Sequence, residues 1–204
     1  IPRCPSKLKK TLHLSPLKEK AFRLPISKQE VNVIAMEEGQ ITTKRLQVML
    51  KRCGNFTGEE YPEYQKIAVI ERHKGSGKSG LGICQGYAIH GGAIASSVSH
   101  DSHNLIVIGD NDRDMCLAVN ELIRLQGGFV LVQGGKVYDS LALPIMGLMC
   151  DCGFIEANAH LENMKQKAHE MGVPGGMDPF ISMSFLALPV IPEIRITPRG
   201  LCLV

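Results

Sequence analysis

Residues 93–109 read AIASSVSHDSHNLIVIG. The segments Ala93–Val98 and Leu105–Ile108 consist of small or apolar residues that do not alternate with polar ones. Runs of this kind are typical of strands that are buried on both faces of a sheet. The six residues between them, Ser99–Asn104, place two histidines, an aspartate and two serines in one short loop, which two buried strands would hold rigidly.

The polar loop Ser99–Asn104 can be interpreted in two ways. Ser, Asp and Asn often form turns by bonding to nearby backbone, so Asp101 or Asn104 could serve the turn alone. Polar loops on rigid scaffolds are also where binding and catalytic residues are concentrated. The loop sequence by itself leaves both interpretations open.

The remaining segments predict an α/β fold of mixed α+β character, with one mixed sheet and two main helices. Strands are predicted at 31–36, 66–71 and 81–90, and a hairpin at 129–132 and 136–143 around Gly134-Gly135. Residues 41–50 form a further strand or an extended arm, and 194–196 with 201–204 form a final hairpin. Residues 181–190 are apolar and expected to be buried.

Capping residues and helical spacing define the two main helices. The first begins at Asp110 or Asn111 and ends at Gly127-Gly128. The second spans 154–171 and ends at Gly172. The residues of this second helix that we expect to face the core are Ile155, Ala159, Leu161, Met164 and Ala168.

Composition narrows the class of protein. The formal charge of the 204 residues is +3, which is too small to indicate a nucleic-acid partner. No apolar run approaches the ~18 residues of a membrane span. The N-terminus lacks the charged-then-apolar order of a signal peptide, and the seven cysteines lack the spacing of a disulfide framework. We therefore expect a cytoplasmic protein with reduced thiols and neither a nucleic-acid nor a membrane partner.

Motifs for phosphate, metal and nucleophile chemistry are incomplete. Gly77-Lys78-Ser79 matches only the end of a P-loop, and the residues after it do not form a helical pattern. His100, Asp101 and His103 could approach a metal, but a catalytic site needs three ligands in a supported geometry. Cys150 and Cys152 have no second cysteine pair. The combined H-x-E and P-C-x-x-C signature, a G-x-S-x-G elbow and an H-x-H pair are all absent.

Several unusual strings occur in a fixed order along the chain. They are IAVIERH at 67–73, GAIASSVSHDSHN at 92–104, AVN at 118–120, LPIMGLM at 143–149, DPF at 178–180 and SFLALPVIP at 184–192. In this order they resemble the C-terminal domain of bacterial-type adenine deaminases, members of the amidohydrolase superfamily. The resemblance runs from about residue 17 to the end of the chain.

The resemblance implies part of an enzyme that hydrolyses adenine to hypoxanthine and ammonia with a divalent metal, manganese or iron. In that family the metal lies in a TIM barrel that precedes this region. Residues 1–65 would be an irregular and β segment, left from the small β-domain beside the barrel, with a connector. Residues 66–204 would be the C-terminal α/β domain. No metal ligand and no catalytic residue is expected in this chain.

The loop and the end of a neighbouring strand supply the candidate pocket residues under this resemblance. They are His100, Asp101, Ser102 and His103 of the loop, and Glu71, Arg72 and His73 of the strand end. The expected partners are adenine, a catalytic barrel in the same or a separate chain, and further copies in a homo-oligomer. Two alternatives stay open. In the first, the loop serves docking alone; in the second, the chain is a non-catalytic purine-binding, regulatory or oligomerisation module.

Overall fold

The computed structural model describes residues 4–204, with an eight-stranded sheet at its centre. The strands are β1 (Pro25–Ile26), β2 (Glu30–Met36), β3 (Thr43–Met49), β4 (Gly54–Asn55), β5 (Tyr64–Ile70), β6 (Ser79–Gln85), β7 (Gly92–Ser96), β8 (Leu105–Gly109), β9 (Gly128–Gln133), β10 (Lys136–Ala142), β11 (Ile194–Thr197) and β12 (Gly200–Leu203). The helices are α1 (Asp112–Leu125), α2 (Phe154–Glu170) and α3 (Pro179–Phe185). The mixed sheet and the two long helices confirm the predicted fold class, while the short helix α3 is not predicted by the sequence pattern.

The central sheet has the strand order β10-β9-β7-β8-β5-β6-β2-β3. Neighbouring strands are antiparallel except β2 and β6, which are parallel. Every residue of β7 and β8 is buried, as their non-alternating sequences predict. Strands β2 and β3 pair into the same sheet as β5 to β10, so this sheet continues across residue 65.

Strand β5 shows how the sheet is buried on both faces. Ile67 and Val69 belong to the apolar cluster formed with α2, α3 and β11. Ala68 and Ile70 point to the opposite face and pack with α1. Full burial of one large aliphatic side chain contributes about 1.5–3 kcal/mol. The two apolar layers therefore fix the sheet firmly, and with it the loops at its ends.

The helix α1 begins and ends close to the predicted positions. The side chain of Asn111 accepts a hydrogen bond from the backbone N–H of Asp114 at 2.8 Å and caps the first turn. Gln126 ends the helix in the left-handed conformation with φ of 61°. Neither α1 nor any other helix within residues 4–204 is long and apolar enough to cross a membrane.

Strand β6 is shorter than predicted. The predicted strand 81–90 was too long, because β6 ends at Gln85. Gly86 has a φ of +92° and approaches β2 so closely that a Cβ would lie 2.3 Å from the carbonyl oxygen of Met36. The chain turns there in a conformation that favours glycine.

The prediction that Ile155 and Ala159 face the core was wrong. Ile155 is 85% exposed and Ala159 is also exposed. Leu161 is partly buried and packs against the core, and Met164 and Ala168 are fully buried, so the contact of α2 with the core is closest in its later part. Helical spacing identifies the apolar stripe, but it does not tell how much of the helix the sheet covers.

The segment 181–190 is buried only in its middle. Met183 and Leu186 are buried, whereas Ile181 is 57% and Val190 is 70% exposed. The expectation that the whole segment is buried was therefore wrong at its ends. The segment forms the end of a short helix and a turn, so successive residues point in different directions.

Candidate functional site

The loop Ser99–Asn104 lies at one end of two inner strands of the sheet, between the end of β7 and the start of β8. Strand β5 is the other neighbour of β8, and its antiparallel pairing places Ile70 opposite Leu105. The residues that follow β5 therefore meet the residues that precede β8. This pairing brings the predicted site residues together: His100, Asp101, Ser102 and His103 of the loop, and Glu71, Arg72 and His73 of the strand end.

The buried guanidinium of Arg72 holds the loop in place. Its Nε donates to the carbonyl oxygen of His103. Its Nη1 donates to the hydroxyl of Thr11 at 3.2 Å, and its Nη2 to the carbonyl oxygen of Met146 at 3.0 Å. Three segments that are far apart in sequence thus meet at one side chain. Burial lowers the pKa of this guanidinium, which still carries its charge at every physiological pH.

Asn104 and Ser99 close the loop from the inside. The Asn104 side chain accepts from the backbone N–H of Arg72 at 3.2 Å and donates to the hydroxyl of Ser102 at 3.1 Å. The backbone N–H of His103 donates to the Ser99 carbonyl oxygen at 2.6 Å. His103 itself has a φ of 47°, in the left-handed region. The backbone of the loop is therefore fixed by internal bonds.

The imidazole of His103 has a defined tautomer. Its Nδ1 accepts from the backbone N–H of Ser99 at 3.3 Å, so in the neutral ring the proton lies on Nε2. Burial lowers the pKa of His103, and the neighbouring His100 and Arg72 lower it further. The ring is therefore neutral near pH 7, with one N–H available as a donor.

His100 and Asp101 are the outward-facing residues of the loop. The His100 ring stacks on Phe185 of α3 with centroids 4.8 Å apart, and its backbone N–H donates to the Ser184 carbonyl oxygen at 3.1 Å. The Asp101 side chain is 85% exposed, and the nearest ring nitrogen is His100 Nδ1 at 3.8 Å. This carboxylate is thus held on a fixed backbone without a strong internal partner.

Glu71 organises the glycine-rich loop that follows β5. Its carboxylate accepts from the backbone N–H groups of His73 at 2.6 Å, Lys74 at 2.8 Å and Ser76 at 3.2 Å, and from the Ser76 hydroxyl at 2.8 Å. Burial alone would raise the pKa of Glu71, but these hydrogen bonds outweigh it and lower the pKa to about 2. The loop amides are therefore occupied by an anion of the chain itself, which agrees with rejecting a P-loop.

His73 joins the two groups of candidate residues. Its Nε2 donates to the carbonyl oxygen of Ser102 at 2.7 Å. The exposed ring of His73 therefore lies across the loop and connects it to the strand end. This bond uses the backbone carbonyl of Ser102, while the Ser102 hydroxyl accepts a hydrogen bond from the Asn104 side chain.

Three clefts surround the loop. The first, of about 330 Å³, is the Arg72 cleft, whose walls include Thr11, His13, Arg72, His103 and Leu148. The second, of about 350 Å³, lies between the loop residues Asp101, Ser102 and Asn104 and the apolar residues 187–190. The third, of about 560 Å³, separates the Glu71 loop from the turn 197–199. Their sizes fall in or near the lower part of the range for small-molecule pockets.

Four residues outside the predicted pocket set complete the site. Thr11 and Met146 hold Arg72, Asn104 holds the strand end, and Phe185 supports His100. Thr11, Met146 and Phe185 come from distant segments. Met146 and Phe185 belong to the strings that carry the family resemblance, but no local pattern places any of the three beside the loop. Asn104 is the exception, because it is the last residue of the polar loop and directly precedes the buried strand β8.

The residues present do not fit a metal centre. Across residues 4–204, no group of three His, Cys, Asp or Glu side chains is arranged to hold a metal ion. The His100 and His103 rings are 5.7 Å apart and tilted by 59°, and Arg72 places a positive charge beside them. The described residues therefore supply no group of three side chains that could ligate a metal ion.

Sequence comparison identifies related proteins. The family described as "Adenine deaminase C-terminal domain" matches residues 40–204. Proteins named adenine deaminase are similar to the chain in Desulfitobacterium hafniense (47% identity over 199 residues, 97% of this chain and 35% of the relative), Nitratidesulfovibrio vulgaris strain Hildenborough (44% over 194 residues, 94% and 33%) and Bacillus subtilis (42% over 188 residues, 92% and 33%). The chain spans about a third of the length of these curated relatives.

Proposed function

Because the chain belongs to the adenine deaminase C-terminal domain family, we propose that it acts as the C-terminal part of an adenine deaminase. In this role the loop Ser99–Asn104 closes the substrate pocket of a catalytic domain. The observation that carries the proposal is the loop itself, whose backbone is bonded internally while Asp101 and His100 face outward.

The reaction we propose for the complete enzyme is hydrolysis of adenine to hypoxanthine and ammonia. Asp101 would accept a hydrogen bond from the exocyclic amine of adenine, and the outward-facing ring of His100 would contact the purine. The neutral ring of His103 would order water near the pocket through its Nε2–H. Glu71, Arg72 and His73 would keep the loop in position rather than touch the substrate.

The catalytic machinery of such an enzyme would lie outside this chain. A divalent metal, manganese or iron, would belong to the catalytic part, since the described residues supply no ligand set. We propose the catalytic barrel, in the same or a separate chain, as the domain's main partner, and a cytoplasmic location for the assembly. The division at residue 65 into a connecting segment and an α/β domain remains part of this proposal.

A second candidate function is a non-catalytic module for purine binding, regulation or oligomerisation. The observation that favours it is the exposure of four large apolar side chains within residues 146–155: Met146, Met149, Phe154 and Ile155 are 43%, 52%, 82% and 85% exposed. Exposed apolar groups of this size often mark contact surfaces. A homo-oligomer would use such a surface, and so would docking onto a catalytic domain.

Substitution of the loop in the enzyme that contains this domain and its catalytic part tests the first function. We expect Asp101→Asn to lower kcat/KM for adenine about tenfold or more, because a contact strengthened in the transition state is lost. Glu162→Gln, on the exposed face of α2, is the matched control and should leave kcat/KM unchanged. Unchanged kcat/KM in Asp101→Asn and in His103→Gln would remove the loop from the pocket and favour docking alone.

A further inference from the structure

The charge of Arg72 has no counterpart in the described residues. The side chain is 2% exposed, and its hydrogen bonds go only to carbonyl and hydroxyl oxygens. No carboxylate within residues 4–204 forms an ion pair with it, and burial alone accounts for its lowered pKa. A buried charge is costly unless an opposite charge approaches it. The position therefore favours an anion that the chain does not supply.

Space for an anion exists beside this guanidinium. Arg72 forms part of the wall of the Arg72 cleft, whose volume is about 330 Å³. His13, His73 and His103 also line this cleft, and none of its lining residues is acidic. Arg195 is a useful contrast. It is equally buried and bonded to carbonyl oxygens, but it lines none of the three clefts around the loop.

The cleft also offers hydrogen-bond donors. The five N–H groups of Arg72 make four hydrogen bonds, and Nη2 has one N–H left beyond its bond to Met146. His103 carries its ring proton on Nε2, because Nδ1 accepts from Ser99. The exposed ring of His13 stands at the rim. A tetrahedral oxyanion can accept from several donors at once, whereas a metal cation would be repelled by Arg72.

We propose that the Arg72 cleft is a binding site for a small phosphate-type oxyanion. The anion neutralises the buried guanidinium and bridges Arg72 to the imidazoles of His13 and His103, which line the same cleft. Because Arg72 also holds Thr11, His103 and Met146, the bound anion stabilises the junction of three segments. The proposal does not rest on deaminase activity, since binding is a property of this chain without turnover.

A titration of the chain with inorganic phosphate tests the site. Ionic strength is kept constant with chloride, and binding is followed by calorimetry and by backbone amide shifts in an NMR spectrum. We expect a saturable heat with a millimolar or lower Kd, and shifts concentrated at Thr11, Arg72, Ser102 and His103. Adenosine monophosphate is titrated in parallel. Equal affinity indicates free phosphate as the ligand, and tighter binding indicates the phosphate group of a nucleotide.

Two variants and a control make the test specific. Thr11→Asp places a carboxylate next to Arg72 Nη1, so it should weaken phosphate binding about tenfold or more and raise the unfolding midpoint. His13→Ala removes a donor at the rim without touching the partners of Arg72 and should weaken binding about threefold. Lys136→Gln is the control. It lowers the net charge by one unit, as Thr11→Asp does, but at the opposite end of the sheet, so phosphate binding should not change. Absence of saturable binding, or equal binding in wild type and both cleft variants, would overturn the proposal.

Discussion

At the scale of single residues, the carboxylate of Glu71 takes the position that a bound phosphate has in other glycine-rich loops. Backbone N–H groups of His73, Lys74 and Ser76 converge on it. Gly75 and Gly77 allow this convergence because their φ values are +63° and +65°. The loop is thus shaped by a side chain of its own first residue.

The pH dependence of stability follows from the lowered pKa of Glu71. That pKa is about 2 in the folded chain against 4.5 ordinarily, so the ionised carboxylate stabilises the fold above pH 4.5. The stabilisation is lost as the pH falls from 4.5 towards 2. We expect Glu71→Gln to cost about 1–2 kcal/mol near pH 7, because hydrogen bonds to a charged group are worth roughly that much after solvent exposure is discounted.

Thermal unfolding of wild type and Glu71→Gln between pH 7 and pH 2 measures this effect. The difference between the two midpoints should be largest near neutral pH and should shrink below pH 4.5. Glu162→Gln, an exposed change on α2, should follow the wild-type curve throughout. A difference between wild type and Glu71→Gln that stays constant down to pH 2 would contradict the role assigned to the carboxylate.

The residues of the site show which parts of it can be predicted from sequence. The loop 99–104 and the strand end 71–73 are recognisable because polar residues interrupt or follow buried strands. The partners of Arg72 are not recognisable, because Thr11 and Met146 meet it through contacts across 61 and 74 positions. Such contacts depend on how the whole chain packs, and local pattern carries no information on them.

At the scale of elements, the hairpin of β11 and β12 lies directly on β6. A Cβ at Gly80 would lie 2.0 Å from the carbonyl oxygen of Thr197 and 2.4 Å from the backbone nitrogen of Gly200. Gly82 has a similar restriction against Leu201, with 2.7 Å to its Cδ2. The absence of side chains at these two positions of β6 therefore allows the hairpin to dock.

Gly80→Ala should separate this hairpin from the sheet. The added methyl group meets backbone atoms that cannot move aside singly, so we expect a loss of about 1–3 kcal/mol in the free energy of unfolding. Gly153→Ala is the matched control. A Cβ there meets nothing within 4 Å, and its φ of −71° suits alanine. Chemical denaturation measures both variants, and equal stability of the two would show that the contact at Gly80 is relieved by a small shift.

Element boundaries were predicted with uneven success for a physical reason. The capped helix α1 and the buried strands β7 and β8 match their predictions because a capping residue and an unbroken apolar run are both visible in the local sequence. The ends of β6 and the exposed part of α2 differ, because a close approach to β2 and the limited extent of the sheet decide them. These are properties of neighbours in space rather than in sequence.

At the scale of the whole molecule, the N-terminal segment is part of the core although it is mostly irregular. Phe22 is 1% exposed and Leu12 is 5% exposed, and both pack in the apolar cluster between the sheet and α1. The backbone N–H of Leu17 donates to the Asn120 side chain at 2.7 Å, which fastens the segment to α1. The N-terminal segment therefore packs against α1 and forms part of the apolar core.

Phe22→Ala tests how much the N-terminal segment contributes to the stability of the fold. Removal of a fully buried aromatic ring should destabilise the chain by about 3–5 kcal/mol. Phe154→Ala is the matched control, since that ring is 82% exposed and its loss should cost less than about 0.5 kcal/mol. Denaturant midpoints of the two variants give the comparison. A similar small effect in both would mean that the N-terminal segment contributes little to the fold.

The strand order also has a consequence for how the chain folds. Strands β2 with β3, β5 with β6, β7 with β8, and β9 with β10 each pair with the next strand in sequence. The pairing of β5 with β8 joins positions about forty residues apart, so its loop-closure entropy is larger. We expect the four local pairs to form early and the β5–β8 pair to form late. Since Arg72 meets His103 only across that late pair, the polar loop acquires its final shape among the last steps of folding.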